Sequence, residues 1–209
     1  MTATIARNRL RRGAALAFVS SVMLGNTFAA DAPDRADAPA PETPEWVSEA
    51  RASAGKLAGR LIPTLQTAIQ QGGPIQGITV CSTEAPEIAA AVSDSNLRIG
   101  RTALRVRNPA NAADEWERSV LEDFQRRIAE GADPSTLEAW QVHAIEDREV
   151  GRWMKAIPTA PMCTTCHGTD INADLAATIR EHYPEDRATG FQEGDLRGAF
   201  TATVEFDRH

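Results

Sequence analysis

The sequence predicts an α+β domain built around an antiparallel sheet. Apolar residues at helical spacing fill stretches of the first half, β-favouring runs crowd the second half, and no internal repeat joins them. From Trp46, the residues Val47, Ala50, Ala54, Leu57, Leu61, Leu65, Ala68 and Ile69 mark one face of a helix that ends at Gly72-Gly73-Pro74. Pro63 removes the backbone bond to Gly59, so that helix is expected to kink. Ile75 to Cys81 reads as a short buried strand. Ser82 or Thr83 then caps a small helix through Val92, with Pro86 tolerated in its first turn.

Leu97 to Val106 alternates as a strand, and Asn108-Pro109 breaks it. Trp116, Val120, Phe124 and Ile128 recur every fourth residue and mark a helix closed by Gly131. Trp140 to Ile157 holds two short β runs, read as a hairpin with Val142 in the core and His143 turned outward. Asn172 caps a helix that stops at Tyr183-Pro184. Phe200, Ala202, Val204 and Phe206 share one face of a closing strand.

The chain has 209 residues, the size of one ordinary domain, and three cysteines, too few for a disulfide-built scaffold. Its formal charge of −7 argues against a nucleic-acid binder. The N-terminal 30 residues hold Arg7, Arg9, Arg11 and Arg12 and no acid, so the remainder is more acidic still. Arginines, then a mostly apolar run from Gly13 to Gly25, then small residues up to Ala30, form the three regions of a secretory signal peptide over residues 1–30. The apolar run has 13 residues, where spanning a bilayer needs about 20. Cleavage is expected near Ala29–Ala30, leaving a periplasmic protein that is not embedded in the membrane. Residues 31–44, with four prolines among alanines and acids, read as an extended linker ahead of a domain over 45–209.

One motif carries chemistry: Cys163-Thr164-Thr165-Cys166-His167 is the attachment signal for c-type haem. Two thiols separated by two residues match the porphyrin edge as thioethers, and the adjoining His167 becomes the proximal iron ligand. Attachment occurs on the exported side of the bacterial membrane, so this motif and the signal peptide support each other. A thioredoxin-like pair would precede a long helix, whereas a Gly168-Thr169-Asp170 loop follows here. A zinc site would need further ligands, and a disulfide between Cys163 and Cys166 would close an unusually small ring. The far side of the iron sets the chemistry. Its candidates are Cys81, His143, His182, His209, Met154, Lys155 and Met162. Cys81 stands out as the one cysteine left over in an exported chain, just ahead of a helix start that favours thiolate.

Several stretches together resemble the PAS-like mono-haem c-type domain family, long catalogued as a domain of unknown function. They are Gly77-Ile-Thr-Val-Cys81 with Ala85-Pro86, Arg101-Thr102 with Arg107-Asn-Pro-Ala-Asn111, and Trp116-Glu117. Cys163-x-x-Cys-His167-Gly168 follows, then Tyr183-Pro-Glu-Asp186 with Ala188-Thr-Gly190, and Gly194-Asp-Leu-Arg-Gly-Ala-Phe200. The resemblance spans residues 46–206. It implies a PAS-like antiparallel sheet with flanking helices and one covalently bound haem, held by His167 and, on the far side, by Cys81. Family members often form the sensory part of membrane-bound signalling proteins. These 209 residues show no transmembrane helix or output domain, so a redox partner or a separate signalling protein is expected.

Arg101, Arg105 and Arg107 offer counter-charges for the haem propionates or, equally, surface salt bridges. Asp195 and Arg197 read as turn structure, and the acid-rich stretch Glu181–Asp186 as solvated surface. The functional expectation is a periplasmic protein that transfers one electron or senses redox state. A haem-based sensor of nitric oxide or carbon monoxide, acting through a partner, is the alternative. A haem enzyme such as a peroxidase fits less well, because no acid–base group stands out for catalysis.

Mass spectrometry of a periplasmic fraction should find a chain about 30 residues shorter than the gene product, heavier by one haem. Intact Met1 in a membrane fraction would show instead that the segment is an anchor.

Overall fold

A computed structural model describes residues 42–145 and 148–206. The signal peptide and nearly all of the linker expected at the N-terminus lie outside these residues, as does His209. Four strands, β1 (Leu97–Thr102), β2 (Glu138–Ile145), β3 (Arg148–Pro158) and β4 (Leu196–Glu205), form one sheet. Its order is β1-β4-β3-β2, and every neighbouring pair is antiparallel. The hairpin expected over Trp140 to Ile157 is β2 and β3. Val142 is not a core residue, however: it sits on the outer strand and is 46% exposed.

Helices cover both faces of the sheet. The first half of α1 (Glu45–Thr79) lays Val47, Ala50, Ala54 and Leu57 on Leu97, Ile99, Trp153, Ala202 and Val204. On the opposite face, Val120, Leu121 and Phe124 of α3 (Glu115–Ala129) pack on Leu137, Met154, Ala156 and Ala199. Successive side chains of a strand point to opposite faces, so the neighbours Trp153 and Met154 each fill a different core, and both are fully buried. Burying such side chains stabilises the fold by roughly 1.5–3 kcal/mol each.

The region after α1's first half departs from expectation. Helical backbone runs through Pro63, and the break comes at Gly73, with φ 74° and ψ −178°. Glycine alone adopts that conformation readily, and Pro74 drives its predecessor out of the helical region. Pro74 then starts a new helical segment, so no strand forms over Ile75–Cys81. The returning segment packs closely on the first: a Cβ on Gly77 would lie 3.1 Å from both Leu65 and Ile69. Leu61, Val80 and Ala85 form a small core between them. A short apolar run fits a buried strand or a buried helical turn equally, and the packing decided.

The segment continues through a π turn, Val80–Glu84, into α2 (Ala85–Val92). Ser82 and Thr83 do not cap α2. Their hydroxyls donate back to the Thr79 carbonyl at 3.0 and 2.8 Å, inside the π turn. Strand β1 stops at Thr102, well short of Val106, because the chain turns away and the Val106 carbonyl instead accepts the Arg187 N–H at 2.9 Å.

Asp114 begins α3 with a reciprocal cap. Its carboxylate accepts the Glu117 N–H at 2.9 Å while Glu117 accepts the Asp114 N–H at 3.2 Å. Arg152 of β3 reaches Asp114 at 2.7 Å and Glu117 at 3.3 Å, tying the helix start to the sheet. Desolvation pushes the Asp114 carboxyl up, but the Glu117 N–H and Arg152 more than offset it, holding the group below its ordinary value. Asp114→Ala should therefore cost about 1 kcal/mol of stability near neutral pH. A carboxyl with a depressed folded pKa stabilises fully above about pH 4, and the contribution fades as pH falls through the folded value. Urea denaturation should accordingly show the gap between variant and wild type constant from about pH 7 to about pH 5 and narrowing below about pH 4.

Candidate functional site

The Cys-x-x-Cys-His stretch folds as a single compact turn. A 3-10 turn, Pro161–Cys163, leads into the four-residue α4 (Thr164–His167). Gly168 closes it by donating its N–H to the Thr164 carbonyl at 2.8 Å. A Cβ at Gly168 would lie 2.4 Å from that same oxygen, so only glycine can end the turn this tightly. Cys163, Cys166 and His167 are each half-buried, and both thiols are free.

A second segment locks against the turn. The Gly190 and Phe191 N–H groups donate to the Gly168 and His167 carbonyls at 2.8 and 2.9 Å. His167 Nδ1 lies 2.7 Å from the Ala188 carbonyl oxygen. A carbonyl can only accept, so Nδ1 carries the proton and Nε2 keeps its lone pair free. Burial, followed by the charges of Arg197 and Arg107, pushes the imidazole pKa down to about 2 in spite of that hydrogen bond. His167 is thus a neutral, oriented imidazole whose Nε2 lone pair is free.

Arg107 holds this arrangement together. It is buried, and its guanidinium forks onto Asp186 with Nε at 3.2 Å and Nη2 at 3.1 Å. Nη2 also donates to the carbonyls of Cys166 at 2.6 Å and Ala188 at 3.3 Å. Asp186 in turn accepts the Ala188 N–H at 2.8 Å. Asp186 is therefore no solvated surface acid: its side chain, like that of Arg107, is 7% exposed. Burial of the pair excludes water and competing ions from it.

Cys81 reaches the same neighbourhood from the π turn. Ile78, one turn earlier, packs with Leu175, Ile179 and Tyr183 around Cys166, using the inner face of α5 (Ala173–His182), whose start Asn172 caps as expected. Burial pushes the Cys81 thiol above its ordinary value, and Arg101, Arg107 and Arg197 offset this only in part. The helix start expected to favour its thiolate is absent, because Cys81 lies inside continuous helical backbone from Pro74 to Val92. Burial and then the Cys81 charge push the Tyr183 phenol up to about 12. These charges act on one another across a shared site. Among the described residues, though, no three His, Cys, Asp or Glu side chains converge as they would on a bare metal ion.

The other far-side candidates are engaged elsewhere. Met154 fills the core beside α3. His143 lies edge-on to Trp116, ring centres 5.7 Å apart, and touches Gln141. His182 is exposed and bonds back to Thr178 at 3.0 Å, and Lys155 donates to the Ser135 carbonyl at 2.8 Å. Met162 is 39% exposed and accepts from Gln66. An open cleft of about 310 Å³ beside Trp116, Val120 and Trp140 shares no residue with the cluster.

Asp186 and Arg197, expected as surface and turn residues, contribute to this site, and so does Phe191, which no local signal marked. Phe191 meets His167 edge-on, centres 6.3 Å apart, and carries the Arg105 guanidinium 3.8 Å above its ring. Arg105 also donates to the Thr189 carbonyl at 2.9 Å. Arg197 lies 5.2 Å from the Phe191 ring centre. Asp195 behaves as the turn residue expected, accepting the Gln192 N–H at 2.7 Å, but Arg197 belongs to the site. The clustering of arginines and acids around Cys163–His167 is long-range; the stretches that hold Arg107, Asp186 and Arg197 all belong to the family resemblance, but nothing local showed that they meet.

Asp186→Ala should destabilise the protein by about 3–5 kcal/mol, because it strands a buried guanidinium. Replacing Arg107 and Asp186 together by Met and Leu should cost less than the single change. Urea unfolding of the three proteins checks both statements, and a single variant no weaker than the double would refute them.

The Tll0287-like family model matches residues 23–204. The crystal structure of the cyanobacterial heme-protein Tll0287 is similar, with a TM-score of 0.56 and 25% sequence identity, over 80% of this chain and 99% of that one. Among curated proteins none matches. A family model that spans most of the chain, joined to a fold shared with a solved structure over nearly all of that structure's length, makes this chain a member of the Tll0287-like family.

Proposed function

We propose that this chain is a periplasmic mono-haem c-type protein with a redox role, either transferring one electron or sensing redox state. Cys163 and Cys166 would hold the haem covalently, His167 would ligate one face of the iron, and Cys81 the other. The observation that carries the reading is the His167 hydrogen bond: Nδ1–H is taken by Ala188, so Nε2 is left free and fixed, at the end of a turn bearing two free thiols. The similar structure is that of a heme-protein, which supports the same cofactor.

When bound, the haem iron would supply reversible one-electron chemistry. The chain's own residues set its terms. Of the far-side candidates among the described residues, Cys81 alone shares the electrostatic neighbourhood of Cys163 and Cys166. A thiolate is a soft, charged donor that favours ferric over ferrous iron, so the reduction potential would be low. The alternative, a gas sensor, draws support from the π turn that carries Cys81. Such turns are weak points in a helix and frequent at functional sites, suiting a ligand that detaches.

Optical and EPR spectra of both oxidation states, with and without carbon monoxide, separate these readings. A low-spin ferric form whose ferrous form resists carbon monoxide supports electron transfer or redox sensing; rapid binding supports gas sensing; a high-spin ferric form supports an enzyme. Cys163→Ala with Cys166→Ala should abolish pigment that survives denaturation. Cys81→Ala should open the far side, turn the ferric haem high-spin and raise its potential. An unchanged low-spin spectrum in that variant would remove Cys81 from the site.

A further inference from the structure

Arg101, Arg107 and Arg197 all act on Cys81 and His167, yet among the described residues the one carboxylate paired with any of them is Asp186, forked onto Arg107. Among the described residues, neither Arg101 nor Arg197 has a carboxylate within salt-bridge distance. Arg105 is the most exposed of the group and is already committed, to the Phe191 ring and the Thr189 carbonyl. Arg197 is different. Its Nε is buried with no hydrogen-bond partner, and its Nη1 makes only a long contact, 3.5 Å, to the Arg105 carbonyl. Burial, then the charges of Arg107 and Arg101, push its pKa down to about 10. A buried guanidinium without a counter-ion is costly, and its planar fork fits a carboxylate.

The strands deliver both arginines to one end of the sheet. Arg101 is the penultimate residue of β1, paired with Phe200 of β4, and Arg197 is the second residue of β4. Arg197 is held by the same Phe191 ring that meets His167 edge-on, so it stands beside the proximal ligand. We propose that Arg197, seconded by Arg101, is the carboxylate clamp of this site, and that the group it takes is a propionate side chain of the haem. The assignment rests on the haem reading above. Of the three arginines expected from sequence, it keeps Arg101, excludes Arg107 and Arg105 as already engaged, and adds Arg197.

The test uses the full-length holoprotein and two readouts: the pH dependence of the midpoint potential and the infrared titration of the propionate carboxylate band. In the wild type the propionate should stay ionised between about pH 5 and pH 8, so it adds no pH dependence to the potential beyond that of the Cys81 thiol, and the band titrates below the ordinary carboxylate range. In Arg197→Gln the band midpoint should rise by about one pH unit or more, and the potential should fall and depend more steeply on pH than in the wild type. Arg197→Lys should lie between the two, keeping the charge and losing the fork. Arg98→Gln, which removes one charge from the exposed surface of β1, should match the wild type. An Arg197→Gln protein that retains covalent haem and superimposes on the wild type in both readouts overturns the clamp and leaves the haem reading intact. A wild type without covalent haem overturns both. Should Arg197→Gln fail to fold, the wild-type titration decides alone: a propionate that titrates like a free carboxylate refutes the clamp.

Discussion

A guanidinium taken out of water must find an acceptor for each donor it cannot hydrate, and Arg107 finds them on two separate stretches of chain. Its partners are the Asp186 carboxylate and the carbonyls of Cys166 and Ala188, while Arg107 itself sits on the loop that leaves β1. Three segments that share no secondary structure are therefore held at one point. The Ala188 carbonyl that orients His167 is itself fixed from behind by Arg107 and Asp186. The orientation of the imidazole is a consequence of a buried ion pair rather than of α4, which is a single turn and has little rigidity of its own.

The sheet contributes differently. Its central strands, β3 and β4, are covered on both faces, which makes them a rigid partition between two cores. Of that partition only Arg197, near the start of β4, reaches the site. The site gathers where the chain leaves the sheet: after β1, before β4, and between α4 and α5. Loops of this kind carry adaptable side chains, and the packed sheet fixes where they start and end. The bonds from Gly190 and Phe191 to the end of α4, and from Arg187 to Val106, weave these loops into a single wall.

The path to Cys81 depends on backbone conformation. Gly73 reverses the helix, Gly77 lets the returning segment lie close against Leu65 and Ile69, and the π turn shifts the helical phase before α2 resumes. Ile78 then docks on α5, which begins only five residues beyond Gly168. A straight helix from Glu45 to Val92 would have carried Cys81 far from the motif. The reversal at Gly73-Pro74 brings it back.

The sequence by itself determined several features whose cause is local. The spacing of Cys163, Cys166 and His167 is a covalent property of the chain, and the Asn172 cap, the helix closed at Gly131 and the hairpin of β2 and β3 follow from neighbours a few residues apart. Tertiary structure decided the rest. Ile75–Cys81 carries apolar residues that suit a strand or a helix, and contact with Leu65, Ile69 and α5 selected the helix. Asp186 and Arg197 look like ordinary surface residues in their own stretches; Arg107, some 80 residues from Asp186, buries the first, and the sheet register carries the second to the site. Burial and counter-charge arise between parts of the chain that only folding brings together, so they leave no periodicity or spacing to read beforehand.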